Sequence, residues 1–92
     1  MYHKWLRSFH AVAREGGFTA ASRVLNIGQP TVTDQVKSLE HHFGVELFHR
    51  RGRMVTLTGT GRGLLEITQD IFGHEEEALG FLRAARDLKH GR

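Results

Sequence analysis

Apolar residues recur along the first half of the chain at spacings of three and four, the pattern of helices that bury one face. Tyr2, Trp5, Leu6, Phe9, Val12 and Ala13 form the first stripe, and Gly16-Gly17 ends it, because glycine readily takes the left-handed conformation a helix C-terminus needs. A short second helix follows, with Thr19 as its expected N-cap and Ala20, Ala21, Val24 and Leu25 as its apolar face. Asn26-Ile27-Gly28 marks a tight turn, and Pro30 suits the first turn of the next helix, where its missing N–H costs nothing. Val32, Val36, Leu39 and Phe43 then give that helix one inward face until Gly44 closes it. This spacing turns Pro30, Asp34, Lys37, Ser38 and His41 outward and leaves Thr31 and Thr33 on the flanks.

The period changes next. Leu47-Phe48-His49-Arg50 and Met54-Val55-Thr56-Leu57 read as two strands joined through Arg51-Gly52-Arg53, a hairpin with glycine at its turn. Thr58 stands where an N-cap belongs, and no proline interrupts the chain from Gly59 to Leu88. Two apolar series run along this stretch, one of Leu64, Ile67, Ile71, Ala78, Phe81, Ala85 and Leu88, the other of Leu65, Phe72, Leu79 and Leu82. The spacing predicts a helix about 45 Å long, too long and too apolar to be covered by the small unit before it. A second chain is the expected cover, and Gly59, Gly61, Gly63, Gly73 and Gly80, which lower intrinsic helicity, add to that need. The architecture expected is therefore mainly α, with a compact unit over residues 1–58 and a long association helix over 59–92.

Composition narrows the setting. A chain of 92 residues without cysteine has neither a disulfide framework nor a thiolate zinc site, and nothing in it demands an oxidising compartment. Its apolar runs are too short to span a membrane, and no basic segment followed by an apolar stretch of signal-peptide type opens it, so the expectation is a cytoplasmic protein. Charge is unevenly shared: residues 1–65 hold nine Lys/Arg against four Asp/Glu, a formal +5, whereas residues 66–92 hold four against six, a formal −2. A basic front half suits an anionic partner such as nucleic acid, whose phosphates supply most non-specific affinity.

Helix, short helix, tight turn, helix and hairpin is the order of a helix-turn-helix with a β-wing, in which the second helix braces the third and leaves it free to enter a major groove. The order alone fits a protein-binding module equally well. The residues themselves separate the two readings. Phe18-Thr19-Ala20-Ala21, Leu25, Gln29-Pro30, Val32-Thr33, Gln35-Val36, Leu39-Glu40, Phe43-Gly44-Val45, Leu47-Phe48, Arg50, Leu57-Thr58 and Gly61 closely resemble the signature of LysR-type transcriptional regulators. The likeness runs without a gap from about Leu6 to Leu65 and continues into the expected linker helix. It implies a winged helix-turn-helix whose linker helices pair antiparallel into a homodimer, presenting two recognition helices, residues 30–43, and two wings to an interrupted palindrome in double-stranded DNA. It further implies a C-terminal effector-binding domain, absent from these residues, that takes a small-molecule effector, and tetramers at full length; no cofactor or metal is expected in this chain.

Carried over position by position, the resemblance places Gln29, Pro30, Thr31 and Thr33 against bases and phosphates, with Lys37 as a phosphate anchor. On the wing, residues 49–53, Arg53 is expected to reach a flanking minor groove or backbone, where narrow stretches attract arginine, and Arg50 either joins it or packs near Glu40. Leu64, Ile67, Ile71, Phe72, Leu79, Phe81 and Leu82 are the expected dimerisation residues. Three positions depart from the family pattern: Gly17 and Gly28, where serine is usual, and Asp34, where a neutral or basic residue is more common. A carboxylate in a major groove is repelled by phosphates yet can accept from cytosine N4, so Asp34 is expected to sharpen sequence choice while weakening general affinity. Gly59-Thr60-Gly61-Arg62-Gly63 fits neither common phosphate-binding fingerprint, the seven histidines lack ligand spacing, and no catalytic arrangement emerges, so an enzyme is not expected.

Overall fold

The computed structural model describes residues 1–52 and 54–89. Three helices come first: α1 (Tyr2–Glu15), α2 (Phe18–Leu25) and α3 (Gln29–Phe43), followed by strands β1 (Phe48–Arg51) and β2 (Met54–Leu57) and a long helix α4 (Gly59–Lys89). The helix boundaries follow local chemistry. Gly16 ends α1 at φ 82° and Gly44 ends α3 at φ 67°, while Asn26 takes the same left-handed conformation at φ 58° after α2. The N-cap of α2 is Gly17, in extended backbone, and not Thr19, which sits inside the first turn. The helix starts one residue before Thr19 because Phe18 packs on the core, its ring 6.0 Å from that of Phe48.

One core lies between the three helices and the start of β1. Phe9, Val12, Ala21, Val32, Val36, Leu39, Leu47 and Phe48 fill it, with Trp5, Leu6, Phe18, Leu25, Leu64 and Leu65 packed around them. The inward stripes of α1 and α3 are those the spacing predicts, except at Tyr2, which is exposed at the start of α1, and at Phe43. That ring is 57 % exposed, because the last turn of α3 runs beyond the core, and it leans instead on His42 and Tyr2 at 4.8 and 5.8 Å between centroids.

The hairpin pairs Phe48 with Leu57, His49 with Thr56, Arg50 with Val55 and Arg51 with Met54. Its first strand starts one residue later than the sequence pattern suggests and takes in Arg51, which the pattern assigns to the turn. Leu47 is withheld from the strand because its amide donates to the Glu40 carboxylate at 2.8 Å, tying this residue to α3. Gly52, at φ 59°, begins the turn.

Thr58 caps α4 as its position implies. Its Oγ accepts from the Gly61 amide at 2.9 Å and donates to the Glu46 carbonyl at 2.6 Å, so one hydroxyl joins the helix start to the loop ahead of the wing. Replacing an N-cap threonine costs about 1 kcal/mol, and here the Glu46 carbonyl also loses its donor. Thr58→Ala is accordingly expected to lower the denaturation free energy by about 1–2 kcal/mol, measured by urea unfolding. An unchanged midpoint would show that water replaces both bonds.

The first half of α4 lies on the domain: Gly61 and Thr68 are buried and Leu64 and Leu65 are half-buried. Its second half projects away and gives the molecule its longest dimension, 53 Å against 24 and 21 Å for the other two. Among the described residues, no helix is long and apolar enough to cross a membrane.

Candidate nucleic-acid interface

Helix α3 presents its first turns to solvent. Gln29, Pro30, Thr31, Asp34 and Lys37 are exposed and Thr33 is half-buried, because the inward positions of this helix are taken by Val32, Val36 and Leu39. Among the described residues, the side-chain hydrogen bonds of α3 come from Gln35, Glu40 and His42, all beyond its first turn. The N-terminal polar groups are left available, and the surface pair of Asp34 with Lys37 that their spacing would permit does not form.

Gln29, Thr33 and Lys37 recur every four residues and so line up along one flank of α3. That flank faces a groove of about 560 Å³ whose other walls are the start of α2, through Gly17, Phe18, Thr19 and Ala20, and the wing, through Arg50, Gly52 and Val55. Four of the expected contact residues, Gln29, Thr33, Lys37 and Arg50, therefore share one concavity. Thr31 borders a second groove on the opposite flank, with Lys4, Arg7 and Gln35. Pro30 and Asp34 occupy the crest between the two flanks, and Arg53 lies outside the described residues.

Arg50 is held from two sides. Its guanidinium lies 5.1 Å from the centre of the Phe18 ring and its Nη2 is 3.6 Å from Glu40 Oε1. The other Glu40 oxygen accepts from the amides of Leu47 and Phe48 at 2.8 and 3.3 Å. With only 13 % of its side chain exposed, Glu40 clamps the wing to the recognition helix and sets Arg50 at the edge of the groove. The sequence leaves Arg50 open between the DNA contact and packing near Glu40, and gives no sign of the backbone clamp or of the lining roles of Phe18 and Thr19. Their only signal was membership of the motif that carries the resemblance.

The apolar residues of α4 divide between two surfaces. Leu64 packs on the core of its own domain and Phe72 lies against α1, within 5.0 Å of the His10 ring and 5.5 Å of the His3 ring. Ile67, Ile71, Leu79, Phe81 and Leu82, from 38 to 73 % exposed, form the part that the domain leaves open.

A trihelical core, a two-stranded wing and a recognition helix open at its N-terminus define a winged helix-turn-helix domain. Residues 3–62 match the family described as bacterial regulatory helix-turn-helix proteins of the lysR family, and the chain belongs to it. Among curated relatives, TfdS of Cupriavidus pinatubonensis is 50 % identical over 66 residues, 72 % of this chain and 22 % of that protein. YofA of Bacillus subtilis is 38 % identical over 84 residues, 91 % of this chain and 30 % of that protein. Both are described as HTH-type transcriptional regulators, and the chain spans less than a third of either. Solved structures agree: a CbnR DBD–DNA complex superposes with a TM-score of 0.76 at 35 % identity over 92 % of this chain and 98 % of that one. A complex of the BenM DBD with benA site 1 DNA gives 0.79 at 28 % identity over 92 % of this chain and 99 % of that one.

Proposed function

We propose that this chain is the DNA-reading part of a transcriptional regulator and binds double-stranded DNA sequence-specifically as a homodimer. The observation that carries the reading is the open N-terminal half of α3 beside a groove that gathers Gln29, Thr33, Lys37 and Arg50. A major groove about 12 Å wide admits such a helix, and hydroxyls and a carboxamide at its start reach phosphates or base edges without a charge to desolvate. Asp34, on the crest, is assigned to base selection, and Lys37 and Arg50 to the backbone. Arg53, by the resemblance, is assigned to the flanking minor groove or backbone.

Pairing runs through α4, where Ile67, Ile71, Leu79, Phe81 and Leu82 supply the common apolar face. Two-fold pairing sets the recognition helices about one duplex turn, ~34 Å, or a multiple apart, as an interrupted palindrome requires. No cofactor is assigned to these residues. A small-molecule effector and assembly into tetramers belong to the full-length regulator, which acts in the cytoplasm and has no catalytic role.

The test is a titration with duplex, first of random sequence and then selected from a random pool, across a range of salt. Affinity is expected to fall steeply as salt rises, and Lys37→Ala is expected to reduce the slope of log K against log salt by about 0.9, the share of one phosphate contact. Binding indifferent to salt would overturn the reading.

A further inference from the structure

Beyond its cap, its packing on the core and a bond from the Arg62 guanidinium to the Leu57 carbonyl at 3.4 Å, α4 is tied to the domain by a polar seam with α1. His10 Nδ1 lies 2.9 Å from the Thr68 hydroxyl, whose own hydrogen turns to the Leu65 carbonyl at 3.2 Å. One turn further along α4, the Arg7 guanidinium lies 4.8 Å from the centre of the Phe72 ring and donates to Glu75, whose other oxygen is 3.3 Å from His3 Nε2. The hydrogen bond from Arg7, more than any other influence, holds the Glu75 carboxyl below its usual pKa. Glu75 is also the last point of attachment, since every described residue of α4 after it is exposed.

We propose that Arg7 and Glu75 are positioning residues for half-site spacing, fixing the direction in which the free half of α4 leaves the domain. The inference rests on the dimeric DNA-binding reading above. Its force is geometric. The 14 residues that follow Glu75, to the end of the helix at Lys89, span about 21 Å at 1.5 Å per residue. A swing of roughly 10° at the seam moves that end by about 4 Å, close to the ~3.4 Å rise of one base pair. An ion pair that adds little to stability at this exposure thus separates one spacing from its neighbours, and a dimer has two of them.

The test uses the 92-residue chain and duplexes carrying two selected half-sites, their centres stepped one base pair at a time around one helical turn, about 10 base pairs. The wild type is expected to prefer one spacing. Glu75→Gln should narrow that preference about threefold and Glu75→Lys, which sets like charge against Arg7, about tenfold. The combined Arg7→Glu/Glu75→Lys exchange should restore most of the preference, and affinity for a single half-site should not change in the two single Glu75 variants. An unchanged spacing preference in Glu75→Lys overturns the inference while leaving the dimeric reading intact, and so does an equal loss on single half-sites, which marks a merely structural role. A wild type that binds paired half-sites no better than one removes the dimeric reading, and the inference with it.

Discussion

Gly61→Ala is expected to destabilise the domain by about 3 kcal/mol, the upper end of the usual cost of overpacking a core. Helix propensity alone gives the opposite sign, since alanine is favoured over glycine in a helix interior by about 0.8–1 kcal/mol. Packing decides: a Cβ on Gly61 would lie 2.2 Å from the Leu47 carbonyl oxygen and 2.9 Å from Leu57 Cδ2. The leucine methyl can rotate, but the carbonyl cannot move freely because it accepts from the Thr58 amide at 3.0 Å. At about 4–8 °C per kcal/mol for a domain of this size, the melting temperature should fall by roughly 12 °C or more in calorimetry. Gly63 is the control, with nothing within 4 Å of its would-be Cβ; Gly63→Ala should follow propensity and raise the melting temperature by a few degrees, about 4–8 °C at most. A Gly61→Ala variant as stable as the wild type would mean that α4 does not approach the wing as closely as described.

The two glycines also show where sequence reading stops. Spacing reveals that a helix runs through residues 59–88, and composition reveals that glycine weakens it, but neither tells a glycine that loosens the helix from one that lets it touch a strand. The inward stripes of α1 and α3 are legible because a period near 3.6 records which side chains face one way. Phe43 continues the period of α3 past the end of the core, and the pattern carries no mark of where the core ends. The same period places Lys37 outward and Thr33 on a flank, whereas the choice of Gln29, Thr33 and Lys37 as contact residues comes from the family resemblance. Contacts between distant elements leave no such trace. Arg7 and Glu75 stand 68 positions apart, and no local pattern joins them. The start of β1 was displaced by one residue for the same reason, because the partner of the Leu47 amide is a side chain on α3.

Glu40→Gln sets two physical expectations against each other. If the carboxylate acted only through its charge, its removal from beside a basic groove would tighten DNA binding at every sequence. The geometry assigns the larger effect to its hydrogen bonds. One oxygen serves the Leu47 and Phe48 amides and the other faces Arg50, and hydrogen bonds to a charged group contribute about 1.5–3 kcal/mol. A carboxamide keeps at most one acceptor for the amides and turns an NH₂ group toward the guanidinium. Glu40→Gln should therefore lower stability by about 2 kcal/mol and melting by roughly 8–16 °C. DNA affinity, measured well below that transition, should fall by about tenfold, because the wing and Arg50 are no longer held against the recognition helix and must be ordered on binding, at a cost of about 1–2 kcal/mol for each backbone unit fixed. A variant that melts with the wild type and binds all duplexes more tightly would reduce Glu40 to a bystander charge, and the groove between α3 and the wing would lose the contact that gives it its shape.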